Sequence, residues 1–73
     1  MEKTMLDKET MAKHLREMRI SKGKSVAQMA EETGLGETAL RNYENALRIP
    51  RYESMFKIAA YFNTTVDAIF FSP

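Results

Sequence analysis

The 73-residue chain predicts an all-α fold, a compact bundle of five short helices, and three observations lead there. Apolar residues recur at helical spacing along most of its length, and no stretch alternates with period two over the length of a strand. The helical segments are also separated by residues that stop or turn a helix: Gly23, Gly34, Pro50 and Asn63.

Residues 1 to 6 are polar enough to form a flexible tail, with 7 to 73 as a single domain. Asp7 is a better N-cap than Thr4, so the first helix begins near Lys8. Met11, Leu15 and Met18 fall at i, i+4 and i+7 on one face, and Ile20 is expected to extend that stripe. Gly23 ends the helix, with Lys22 near its negative pole. Ser25 caps a second helix because its hydroxyl accepts from unpaired first-turn amides, and Val26, Met29, Ala30 and Thr33 form its inward stripe.

Gly34 stops the second helix by taking positive φ, and Leu35 anchors the turn. Leu40 and Tyr43 are the inward residues of a third helix. Pro50 pushes Ile49 out of the helical region. A fourth helix then runs from about Tyr52 to Phe62, with Tyr52, Met55, Phe56, Ala59 and Phe62 expected on its inner face. Asn63 makes a left-handed turn, Thr65 caps a last helix, and Val66, Ile69 and Phe70 form its apolar side. Phe70 and Phe71 are adjacent, and neighbouring aromatics on one helix cannot both enter a small core. A homodimer contact through Phe70 and Phe71 is therefore expected.

The stretch Ser25 to Glu44, two short helices around a Gly-Leu-Gly turn, reads as a helix-turn-helix. Its second helix leaves Glu37, Thr38, Arg41 and Asn42 facing outward, with Asn45 just beyond. Such side chains reach base edges and phosphates when the helix lies in a major groove. Asn42 can bond bidentately to adenine, Arg41 to guanine or phosphate, and a Glu37 carboxylate can accept from cytosine N4 but is repelled by phosphate.

From about Met11 to Phe70 the chain resembles the Cro and phage-repressor type of helix-turn-helix, the XRE family with its lambda repressor-like DNA-binding fold. The likeness lies in Leu15 to Arg19 for the first helix, Ser25 to Ala30 for the second, Gly34 to Glu44 for the turn and recognition helix, Glu44-Asn45 and Pro50 for its close, and Ser54 to Phe70 for the last two helices. It implies that Glu37, Thr38, Arg41 and Asn42 form the recognition surface, with Ser25, Asn45, Arg48 and Arg51 on phosphates. It also implies a partly buried ion pair between Arg19 and Glu44. Four positions depart from the family pattern. Lys24 stands where an apolar residue is usual, which assigns that corner of the core to Ile20. Val26 replaces a phosphate-binding glutamine, and Glu37 replaces Gln, Arg or Lys. Ala46 stands where glycine is usual, so the third helix is expected either to bear a positive φ there or to run on to Leu47.

Net charge is only +1, from 11 Lys and Arg against 10 Asp and Glu, which disfavours strong nonspecific DNA binding without excluding specific binding. With no cysteine and one histidine, neither a disulfide framework nor a zinc site is expected, and His14 reads as an exposed residue. No nucleophile, base and acid set and no phosphate-cradling glycine loop is present, so no enzyme, cofactor or small-molecule substrate is expected. The charged amino end lacks the apolar run of an export signal or membrane span, which suggests the cytoplasm of a bacterial host. The expected function is a small transcriptional regulator of a phage or prophage lysis/lysogeny switch. It would bind double-stranded operator DNA as a dimer, its compact size resembling Cro-like regulators. The alternative is a modulator or antirepressor whose recognition face forms a heterocomplex with a phage repressor and blocks that repressor's DNA binding.

Overall fold

In the computed structural model, which describes residues 4–72, five helices follow in order: α1 Lys8–Ser21, α2 Val26–Thr33, α3 Glu37–Glu44, α4 Tyr52–Tyr61 and α5 Val66–Phe70. A two-stranded antiparallel ribbon closes the bundle, β1 Thr4–Met5 pairing with β2 Phe71–Ser72. Of the expected flexible tail, residues 1 to 3 lie outside the described residues, whereas Thr4 to Leu6 are structured. Thr4 faces Ser72, Met5 faces Phe71, and the Leu6 amide donates to the Phe70 carbonyl at 2.9 Å. Each strand is two residues long, too short for an alternating pattern to register in the sequence.

Local chemistry starts the helices as the residues dictate. Asp7 accepts from the Thr10 amide at 2.7 Å, and that bond holds its carboxyl below the usual range. Ser25 and Gln28 form a reciprocal capping box, the Ser25 hydroxyl accepting at 3.0 Å and the Gln28 side chain accepting from the Ser25 amide at 2.9 Å. Thr65 accepts from the Ala68 amide at 3.1 Å.

Three helices end by the same device. After α1, α3 and α4 the residue beyond the cap has positive φ: Gly23 at 75°, Ala46 at 60° and Asn63 at 55°. In each, its amide and the next reach back to the last carbonyls. Around Ala46 these bonds are Ala46 to Tyr43 at 3.3 Å and Leu47 to Asn42 at 2.8 Å. The third helix therefore ends at Glu44 and does not run on to Leu47; the two amides satisfy carbonyls that a continued helix would have used. Gly34, at φ 78°, ends α2 with a bond to Ala30 at 2.9 Å.

The core gathers Met11, Leu15, Met29, Leu40, Tyr43, Met55, Ile58, Ala59, Val66, Ile69 and Phe70. Three expectations change here. Ile20 is 61% exposed and does not fill the corner beside Lys24, where Arg19 donates to the Lys24 carbonyl at 2.8 Å instead. On α4 the buried stripe is Met55, Ile58 and Ala59. Tyr52 and Phe56, one turn apart, lie outside it and pack edge to face on each other at 4.6 Å. Phe70 is fully buried, so no homodimer contact forms through it. The chain becomes extended at Phe71, which lies half-buried against the core, so the two rings need not share a helix face.

Outside the core, α2 is tied to α4 by the Tyr61 hydroxyl, which donates to Glu32 at 2.5 Å, while Lys24 reaches the same carboxylate at 3.1 Å. Burial and that bond push Tyr61 up to about 12, and the bond holds Glu32 below its ordinary value.

Among the left-handed helix ends Ala46 is the costliest, since neither the freedom of glycine nor the local bonding of asparagine relieves its Cβ. Ala46→Gly should raise stability by roughly 0.5–1 kcal/mol, a rise in Tm of several degrees for a domain of this size. An unchanged or lower Tm would show that the unfolded-state entropy of glycine outweighs the relieved strain.

Candidate nucleic-acid interface

Helix α3 is held from below and behind. Leu40 and Tyr43 enter the core, and its carboxyl end is gripped by α1. Arg19 makes a two-pronged bond to Glu44, Nε to Oε2 at 2.7 Å and Nη2 to Oε1 at 2.9 Å. The side chains are 15% and 7% exposed, so the resemblance's expectation of a partly buried pair matches the geometry. The bond to Glu44 holds the Arg19 pKa above its ordinary value. Arg16 adds a bond from Nη2 to the Glu44 carbonyl at 3.1 Å, satisfying an end carbonyl with a cation where the helix dipole is negative.

The turn before α3 is fixed by Thr33. Its hydroxyl donates to the Met29 carbonyl at 2.7 Å and accepts from the Leu35 amide at 3.2 Å, setting the direction in which the chain leaves Gly34. Thr33 was legible as an inward residue but not as a hydrogen-bonding bridge.

What this frame presents outward is the expected set. Glu37, Thr38 and Arg41 are exposed and Asn42 is half-buried, all on α3. Ser25 is exposed at the start of α2, its hydroxyl engaged in the capping box; Asn45, Arg48 and Arg51 are exposed in the segment between α3 and α4. The Asn42 carbonyl accepts from both the Leu47 and Arg48 amides, at 2.8 and 3.3 Å, so the loop carrying Arg48 is anchored to α3 itself. One contact was not anticipated. Arg41 folds back one turn onto Glu37, Nη2 and Nε both donating to Oε2 at 2.7 and 3.1 Å. With 57% and 45% of these side chains exposed, this is a solvated pair, and it partly neutralises the central arginine of the face.

His14 departs from expectation. It is half-buried, its Nδ1 3.3 Å from the Ile69 carbonyl, a link between α1 and α5. Among the described residues no group of three or more His, Cys, Asp or Glu could hold a metal, and no helix is long and apolar enough to cross a membrane.

The chain matches the HTH_3 helix-turn-helix family over residues 15–69, and it belongs to that family. Membership bears out the resemblance read along nearly the same residues. An HTH_3 family transcriptional regulator from Vibrio cholerae is 27% identical with a TM-score of 0.78; the match covers 86% of this chain but only 35% of that one. A hypothetical transcription factor, NHTF from Neisseria, superposes with a TM-score of 0.81 at 22% identity, covering 93% of this chain and 78% of the other. The clp gene regulator ClgR from Corynebacterium glutamicum gives a TM-score of 0.77 at 20% identity, covering 88% and 68%. At these last two identities the likeness concerns the fold. No curated protein matches the chain in sequence.

Removing one partner of the Arg19–Glu44 pair strands a mostly buried charge. Arg19→Ala should cost about 3 kcal/mol or more, whereas replacing both residues with apolar ones of similar size should recover most of that loss. Urea denaturation of the wild type and the two variants measures it. A single-variant cost below about 1 kcal/mol would place the pair with ordinary surface bridges.

Proposed function

We propose that this chain is a small transcriptional regulator that places α3 in the major groove of operator DNA. The observation that carries the reading is the anchoring of α3. Its inner residues and carboxyl end are fixed by the core, Arg16 and Arg19, while Glu37, Thr38, Arg41 and Asn42 face outward with no structural duty to the bundle. A reading head requires that combination, because bidentate contacts to bases demand a helix whose orientation does not drift. The regulators from Vibrio, Neisseria and Corynebacterium, named as such, support it.

Ser25, Asn45, Arg48 and Arg51 are the proposed phosphate contacts, flanking α3 at its approach and exit. Two copies bound symmetrically would set their recognition helices about 34 Å apart, one turn of duplex. The resemblance to Cro-type proteins supports assignment to a phage or prophage lysis/lysogeny switch in the cytoplasm of a bacterial host.

A second reading is favoured by one observation. A net charge of +1 and a carboxylate sitting on Arg41 weaken the attraction to DNA, and both suit a face that binds another repressor and occludes it from its operator. Gel-shift titration against DNA flanking the gene, beside pull-down of a neighbouring repressor, separates the two. Regulator function requires DNA binding by the chain alone. Partner capture with no DNA affinity would establish the antirepressor.

Arg41→Ala and Asn42→Ala should each abolish operator binding with Tm nearly unchanged, because neither side chain supports the core. A large fall in Tm would remove them from the recognition surface. Removing Arg48 or Arg51 should weaken binding to all duplexes alike and reduce the slope of log K against log salt by about 1 for each phosphate that is no longer neutralised. An unaltered slope would exclude phosphate contacts at those positions.

A further inference from the structure

The two carboxylate bridges at the ends of α3 differ in how much of their hydrogen-bonding capacity is spent. Glu44 uses both oxygens on Arg19 and is nearly inaccessible, a closed structural unit. Glu37 receives both Arg41 bonds on Oε2 alone. Among the described residues nothing else bonds to its Oε1 or to the Arg41 Nη1, and both side chains are about half exposed. The bridge is therefore open. It holds a guanidinium fork and a free carboxylate oxygen side by side on the outward face of the recognition helix.

This arrangement has a definite pattern: two donors from the Nη1 and Nη2 edge of Arg41, then one acceptor from Glu37. A guanine–cytosine pair displays the complement in the major groove, guanine N7 and O6 as acceptors followed by the cytosine N4 amino group as donor. An adenine–thymine pair displays acceptor, donor, acceptor, which sets the adenine amino group against the guanidinium and thymine O4 against the carboxylate.

We propose that Glu37 and Arg41 act as one composite reading unit for a guanine–cytosine pair, with Glu37 as the specificity-determining residue; this rests on the DNA-binding function proposed above. Arg41 donates to guanine N7 and O6 while Glu37 accepts from cytosine N4 of the same pair. The bridge fixes the arginine fork before binding, so the rotamer freedom lost at the interface is reduced. Glu37 also repels phosphate, which lowers affinity for every sequence. Its benefit appears only in the difference between the right base pair and the wrong ones, and specificity is that difference. The near-neutral charge of the chain, unfavourable for DNA binding as such, is consistent with a face selected for discrimination over grip.

The test is selection of binding sites from a random duplex library with the full wild-type chain and with Glu37→Gln. Competition titrations then follow on duplexes altered at one position at a time, with thermal melts confirming that both proteins are folded. The wild type should select a guanine–cytosine pair at one position of each half-site and disfavour other pairs there by roughly ten- to a hundredfold. In Glu37→Gln, whose amide can present either a donor or an acceptor, that preference should fall about tenfold or more. Preferences elsewhere should persist and nonspecific affinity should rise. Unchanged preference at every position in Glu37→Gln, or an adenine–thymine pair selected by the wild type at the position where Glu37→Gln alters preference, would overturn the composite unit while leaving DNA binding intact. Failure of the wild type to enrich any sequence would overturn the DNA reading itself, and the reading unit with it.

Discussion

The orientation of α3 depends on the Arg19–Glu44 bridge more than on any other single contact. The helix is only eight residues long, too short to hold a direction by itself, and its inward residues Leu40 and Tyr43 fix depth better than tilt. A two-pronged bond from α1 at the carboxyl end supplies the missing constraint. Arg16 on the Glu44 carbonyl and Arg19 on the Lys24 carbonyl extend it to the helix terminus and to the segment entering α2. With one end clamped by charge and the other directed by Gly34 and Thr33, the helix is set as a rigid bar across the domain surface.

The rest of the chain serves that placement. The ribbon of Thr4–Met5 and Phe71–Ser72 joins the two ends of the described chain and lays Met5, Leu6 and Phe71 against the core, extending a hydrophobic interior that is small for independent folding. The bond between Tyr61 and Glu32 braces α2, the other half of the motif, against α4. Left-handed residues close α1 to α4, and glycine fills that position only after α1 and α2. Around α3 the chain accepts a left-handed Ala46, and the Leu47 and Arg48 amides return to the Asn42 carbonyl.

Much of this was legible in the residues. Capping side chains predict the starts of α1, α2 and α5, and helix-stopping glycines the ends of α1 and α2, because those effects act within a few residues. The buried stripes of α1, α2, α3 and α5 follow from spacing. Reading failed where long-range geometry decides. Tyr52 and Phe56 look like core residues, but Ile58 takes the buried position, and nothing local distinguishes an aromatic over the core from one at its edge. The short ribbon pairs residues from opposite ends of the chain and has no periodicity to detect. Phe70 and Phe71 look like residues of one helix, whereas the chain extends between them. At the candidate site, the outward set on α3 was readable from period and polarity. The open bridge between Glu37 and Arg41 was not, because i and i+4 spacing permits a pair without saying which oxygen receives it.

The outward face of α3, with its flanking loop and the start of α2, is the surface proposed to meet DNA. Heteronuclear NMR of the labelled chain titrated with a short duplex carrying the selected site tests it most directly. Shift changes should concentrate at Ser25, Thr38, Arg41, Asn42, Asn45 and Arg48, with α5 and the ribbon unmoved. Changes centred on α5, the ribbon or the exposed Tyr52 and Phe56, with α3 silent, would contradict that placement.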